Sequence, residues 1–107
     1  MAVTAVTDDN FAELIAGDQP VVVDFYATWC GPCRLMALPF KKLSREFEHA
    51  RFIKVDAEAA PKARKTVEID NFPFFAVYKD GALVAGLSTA KDTKLRAFIA
   101  EHIGEPS

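Results

Sequence analysis

The chain has 107 residues, half of them hydrophobic and 26% charged. That balance excludes a disordered tail, a collagen repeat or a low-complexity linker, and the length suits a single domain over residues 1–107. Thirteen Lys and Arg against fifteen Asp and Glu leave a net charge of -2, so the basic excess of a nucleic-acid binder is missing.

Residues 2–6 read as a short strand. Asp8 is placed to cap a helix in which Phe11, Leu14 and Ile15 share one face, with Gly17 where helices often stop. Pro20 opens Val21-Val22-Val23-Asp24-Phe25-Tyr26-Ala27, a nearly continuous apolar strand of the kind buried on both faces of a sheet. After Cys30 and Cys33 comes a long helix whose apolar side is read as Leu35, Met36, Leu38, Leu43 and Phe47, with Pro39 as a kink. A third strand over residues 51–56 precedes a helix from 59 to about 67. Residues 74–79 then pair through Asp80-Gly81 with residues 82–87 as a hairpin. A last helix over about 90–103 buries Leu95, Phe98 and Ile99. The order βαβαβαββα predicts a mixed sheet with helices on both faces, closed by an antiparallel hairpin.

The N-terminal residues carry no Lys or Arg and no sustained apolar core, unlike a secretory leader, and Asp24 interrupts the most apolar strand far short of a membrane span. The expectation is therefore a cytoplasmic protein without membrane contact. In such a compartment a close cysteine pair is redox-active or metal-binding more often than structural.

Cys30-Gly31-Pro32-Cys33 falls where the second strand turns into a helix. Residues three apart share a helix face, about 5–6 Å between Cβ atoms, near disulfide geometry. Cys30 would lie at the helix N-terminus, where free N–H groups and the dipole stabilise a thiolate. Pro32 has no N–H, so that of Cys33 becomes the donor to the Cys30 sulfur, while Gly31 permits a tight turn and leaves the sulfur open. This assigns Cys30 as nucleophile and Cys33 as resolving thiol. A purely structural staple closing so short a loop would contribute only about 2 kcal/mol. Zinc needs about four ligands, and beyond the cysteines the chain offers only His49 and His102, both read as surface residues near helix ends, so no metal is expected. Asp24, a carboxylate inside an apolar strand, has two open readings. Buried, its pKa rises and it can take a proton from Cys33; at a strand edge, it is merely solvated.

The segment Val21 to Cys33, with Trp29-Cys30-Gly31-Pro32-Cys33 following Val23-Asp24-Phe25, resembles the active-site segment of the thioredoxin family. The resemblance extends through Val55-Asp56, Pro73, the Lys79-Asp80-Gly81 turn and the last helix. It implies an α/β thioredoxin fold, a central mixed sheet of four or five strands flanked by four helices. It also implies a protein-disulfide reductase with no bound cofactor, its redox group being the Cys30–Cys33 disulfide or dithiol. By the same resemblance Asp24 matches a buried proton-transferring carboxylate and Trp29 flanks the nucleophile beside Gly31 and Pro32. Pro73 matches a cis-proline, and Phe72, Pro73, Leu87 and Ser88, with Trp29, would contact clients. The implied partners are thioredoxin reductase, fed by NADPH, and disulfide-bearing clients such as peroxiredoxins or reductases. A monomer is expected.

Four departures from the family pattern are visible. Phe72 and Phe74 flank Pro73 where a smaller aliphatic residue and Thr are usual, giving the expectation of a distinctive Phe72-Pro73-Phe74 groove. Pro39 lies six residues after Cys33 where five is usual, and the groove glycine is replaced by Ser88 or Thr89. The position of a lysine that bacterial members place near the carboxylate is read as Phe52. The alternatives to a reductase are a binding or scaffold subunit with little turnover, and a disulfide oxidase or isomerase; against the latter stands Gly31-Pro32, because those relatives usually carry a histidine between the cysteines.

Overall fold

The computed structural model of the protein describes residues 3–106. Its elements are β1 (Val3–Val6), α1 (Phe11–Ile15), β2 (Val21–Tyr26), α2 (Gly31–Glu46), β3 (Arg51–Asp56), α3 (Pro61–Arg64), β4 (Phe74–Lys79), β5 (Ala82–Ser88) and α4 (Asp92–Ile103). Ala2, read as the start of the first strand, lies outside the described residues. One five-stranded sheet has the order β1-β3-β2-β4-β5. The β1–β3 and β2–β3 pairs are parallel, and β2–β4 and β4–β5 antiparallel. The expected mixed sheet closed by an antiparallel hairpin is observed, with five strands where four or five are implied.

β2 occupies the middle of the sheet, which is why Val21, Val22, Val23 and Phe25 are fully buried with no polar face among them. Alternation along the strands divides the core in two. On one face Val21, Val23, Phe25, Ile53, Val55, Ala76 and Tyr78 meet Phe11 and Ile15 of α1 and Ala63 of α3. On the other, Val22, Phe52, Phe75 and Val77 meet Met36, Phe40, Leu43 and Phe47 of the α2 region and Leu95, Phe98 and Ile99 of α4. Burying each large side chain stabilises the fold by about 2–3 kcal/mol. The β4–β5 turn is formed as the Asp80-Gly81 pair predicts: both residues have positive φ, 53° and 79°, which a two-residue hairpin loop of this hand requires.

Local readings are corrected in four places. Asp8 does not cap α1. Its carboxylate reaches across the fold and accepts the N–H groups of Lys62 and Ala63, both at 2.9 Å, capping α3 instead. At α1 the exposed polar work falls to Asn10, whose Oδ1 accepts from the Thr7 N–H at 3.0 Å. α3 is shorter than its composition suggests, because after Arg64 the chain tightens into turns, with Thr66 and Val67 N–H groups donating to carbonyls three residues back. α4 likewise begins at Asp92, since the Lys91 N–H is taken by the Thr89 hydroxyl at 3.1 Å.

The apolar side of α2 was the fourth. Leu35 and Leu38 are exposed, at 74% and 58%, and the buried stripe is Cys33, Met36, Phe40, Leu43 and Ser44. That stripe follows the 3.6-residue repeat from Cys33, whereas Leu35 and Leu38 fall on the opposite side. Pro39 lies inside α2 without ending it.

Candidate active site

β2 delivers the chain to the end of the sheet, and α2 starts four residues beyond Ala27. The Cys30 N–H donates to the Ala27 carbonyl at 3.2 Å, a turn that sets Cys30 as the N-cap of α2 with extended backbone (φ −91°, ψ 111°). Pro32, in the first turn, has no N–H to satisfy. The Cys33 N–H donates to the Cys30 sulfur at 3.1 Å, so the sulfur takes the place of a capping oxygen. Cys30 and Cys33 form a disulfide with 5.3 Å between their Cα atoms. Both are buried, packed with Ala27 and flanked by Tyr26 and Phe72. Gly31 has no positive φ, and a Cβ there would meet nothing within 4 Å. Glycine therefore is not demanded by a tight turn; it leaves the space beside Cys30 open.

Asp24 is 5% exposed and lies in the central strand, so the strand-edge reading does not hold. Its Oδ1 has no hydrogen-bond partner. Burial pushes its carboxyl up to about 7, against a smaller opposing pull from the Lys54 ammonium. Lys54 is its register partner on β3. The lysine near the carboxylate is thus Lys54, and Phe52 sits opposite Val22, one pair further along the same face in the core of α2 and α4. A cavity of about 280 Å³ joins Asp24 to Cys33, lined also by Tyr26, Arg34, Ala37 and Lys54. Sequence reasoning passed over Tyr26 and Lys54. The signal for Lys54 was the parallel β2–β3 pairing, which aligns it with Asp24; Tyr26 ends the apolar strand and reads there as packing. Burial, then the Asp56 and Asp24 carboxylates, raise the Tyr26 phenol above its ordinary value.

Around the disulfide, Trp29 is 65% exposed and meets the half-buried Phe72 ring edge-on, centroids 5.9 Å apart. The Phe72–Pro73 peptide is cis. Ser88 donates its hydroxyl to the Pro73 carbonyl at 3.1 Å, which ties the end of β5 to this turn. Leu87, pairing with Phe75, packs against the core of α2 and α4. Phe74 does not join a groove with Phe72: it is buried on the α1–α3 face of the sheet. Its ring covers Gly86, where a Cβ would come within 2.5 Å of the ring. Phe72 lies ahead of β4, half-buried between the disulfide cluster and the α1–α3 core, whereas Phe74 is the first residue of β4 and is buried within that core, so of the two only Phe72 packs against the disulfide. His49 instead contacts the Ile103 carbonyl at 2.9 Å, and among the described residues no group of three His, Cys, Asp or Glu side chains is placed to hold a metal ion.

The sequence model described as Thioredoxin matches residues 2–101. The chain belongs to the thioredoxin family. It is 41% identical over 95 residues to the H-type thioredoxin of Chlamydomonas reinhardtii, covering 85% of this chain and 84% of that protein. The solved Plasmodium falciparum thioredoxin superposes with a TM-score of 0.86 at 34% identity, covering 92% of this chain and 98% of that one. A chain from the crystal structure of the ferredoxin:thioredoxin reductase and thioredoxin f2 complex gives a TM-score of 0.87 at 34% identity, with 94% of each chain covered. With a thioredoxin cysteine pair joined at the head of α2, this thioredoxin-family chain is a thiol–disulfide oxidoreductase acting on protein disulfides.

Proposed function

We propose that Cys30 is the attacking thiol of this oxidoreductase and Cys33 the resolving one, with Asp24 receiving the Cys33 proton. In the dithiol form the Cys30 thiolate, stabilised by the Cys33 N–H and the α2 N-terminus, attacks one sulfur of a client disulfide and expels the other as a thiolate. The mixed disulfide is then attacked by Cys33, whose proton passes to Asp24 across their shared cavity. The second client thiolate leaves, and Cys30–Cys33 takes up the oxidised state while the client gains two electrons. Asp24, with its carboxyl near 7, can accept and release a proton at neutral pH. The observation that carries this reading is the Cys33 N–H bonded to the Cys30 sulfur at the cap of α2.

The dithiol is restored by a thioredoxin reductase drawing on NADPH, and no further cofactor takes part. The solved complex of a related chain with ferredoxin:thioredoxin reductase supports a reductase as partner. Trp29, Phe72, Pro73 and Ser88 form the rim that clients such as peroxiredoxins meet. A reducing compartment, the cytoplasm in our reading, keeps such a pair supplied with electrons. A scaffold role without turnover is not favoured, because the cysteines stand at disulfide distance in a chain whose relatives are thioredoxins.

Reduction of insulin, driven first by dithiothreitol and then by NADPH with a thioredoxin reductase, tests the assignment. Wild type accelerates both; Cys30→Ser is inactive, and Cys33→Ser accumulates mixed disulfides. An active Cys30→Ser variant would overturn the roles given to the two cysteines.

A further inference from the structure

We propose that Arg64 is a specificity-determining residue of this oxidoreductase, selecting clients that carry an Asp or Glu side chain beside the disulfide to be reduced. The inference rests on the exchange reading above.

The guanidinium of Arg64, at the last position of α3, lies over the Phe72 ring, 5.3 Å from its centroid. Phe72 packs against the Cys30–Cys33 cluster and forms a T-shaped pair with Trp29, so a single ring separates Arg64 from the rim of the redox centre. Three other arginines are committed: Arg34 donates to the Thr28 carbonyl, Arg51 to the Leu14 carbonyl, and Arg96 pairs with Glu46 and Glu105. Among the described residues Arg64 donates no side-chain hydrogen bond and has no carboxylate within ion-pair reach.

A guanidinium held over an aromatic face by cation–π attraction keeps its N–H donors available for an acceptor. Half-burial and the contact with the Phe72 ring restrict the side chain in advance, which lowers the ordering cost when an acceptor arrives. The fork geometry of those donors fits a planar carboxylate better than a neutral amide. Lys62 on the same short helix and Lys65 just after it, both exposed, add positive potential of the same sign. A client chain seated across Trp29 and Phe72 to reach Cys30 therefore passes an unpaired, pre-oriented cation.

Three cyclic peptides, each closed by one disulfide and identical except for Glu, Gln or Lys beside a cysteine, test this. Pre-reduced protein is mixed with each peptide in a single turnover. Emission of Trp29, the chain's one tryptophan, follows the reaction. Wild type reduces the Glu peptide about threefold to fivefold faster than the Gln peptide, and the Lys peptide most slowly, the size expected of a partly exposed charge pair. The ranking contracts as salt is raised. Arg64→Gln removes the ranking and leaves the Gln peptide's rate unchanged; Arg64→Lys keeps part of it. The same ranking in Arg64→Gln, or an equal loss of rate on all three peptides, would overturn the proposal while the exchange reading stands. Inactivity of wild type toward every peptide would overturn the exchange reading and this proposal together.

Discussion

Asp24 and Lys54 stand opposite one another on adjacent parallel strands, and yet the carboxylate stays without a hydrogen bond on Oδ1. Lys54 is itself exposed, so its ammonium tempers the cost of burying Asp24 without cancelling it. The pair thereby holds a proton site near neutrality within reach of the cavity that borders Cys33.

This sets a pH dependence of stability opposite to that of a salt-bridged Asp. The Asp24 carboxyl goes from 3.8 in the unfolded chain to about 7 in the fold. Below about pH 4 both states hold the proton and no stability is lost. Between there and pH 7 the fold keeps a proton that the unfolded chain has released, so stability falls as pH rises, and it levels off above 7. The full loss is roughly 4 kcal/mol. Asp24→Asn is expected to raise stability at pH 8 by a few kcal/mol and to change little at pH 4, read by urea unfolding of the oxidised protein. The same variant should slow resolution of the mixed disulfide and lose the wild type's rate inflection near pH 7. Equal stabilisation at both pH values, or an unaltered rate profile from pH 6 to 9, would count against this account.

Asp8 supplies both oxygens to the first N–H groups of α3, a helix of only four residues whose N-cap Ala60 has no side-chain bond of its own. Asp8→Ala should cost about 1–2 kcal/mol, and hydrogen exchange should quicken at Lys62 and Ala63 before it does in the sheet. Protection that stays unchanged at those two amides would refute the assignment.

Gly86→Ala should destabilise by about 1–3 kcal/mol, because the new methyl would overlap the Phe74 ring and that ring has a buried core behind it. Adding Phe74→Leu should recover part of the loss. Purely additive effects in the double variant would mean that the two positions do not meet.

Much of this was legible along the chain. The strand over residues 51–56, the hairpin at Asp80-Gly81 and the cysteine pair at a strand–helix junction are local signals, in which turn chemistry and periodicity agree with the final packing. What escaped depended on contacts distant in sequence. Asp8 has a capping residue's chemistry, but which helix it caps is decided by where α3 docks, 54 residues on. Lys54 becomes Asp24's neighbour only through the register of β2 on β3. Leu35 and Leu38 look like core by composition, and only the phase of α2, fixed by Cys33 and Met36 facing inward, turns them to solvent. Phe72 and Phe74 read as one groove because they flank Pro73, whereas β4 starts only at Phe74 and buries it, leaving Phe72 ahead of the strand to reach the disulfide. The Arg64–Phe72 contact joins residues eight positions apart, across irregular chain that no periodicity encodes.

At the end of the sheet remote from the disulfide, the Asp80 and Gly81 amides donate to the Gly17 and Ile15 carbonyls, each at 3.1 Å. The hairpin tip is therefore a clasp on the segment leading into β2 rather than a free loop. A tag, a fluorophore or a fused partner is better joined elsewhere, since opening that clasp would loosen, from the far side, the strand that carries Asp24 and leads to Cys30.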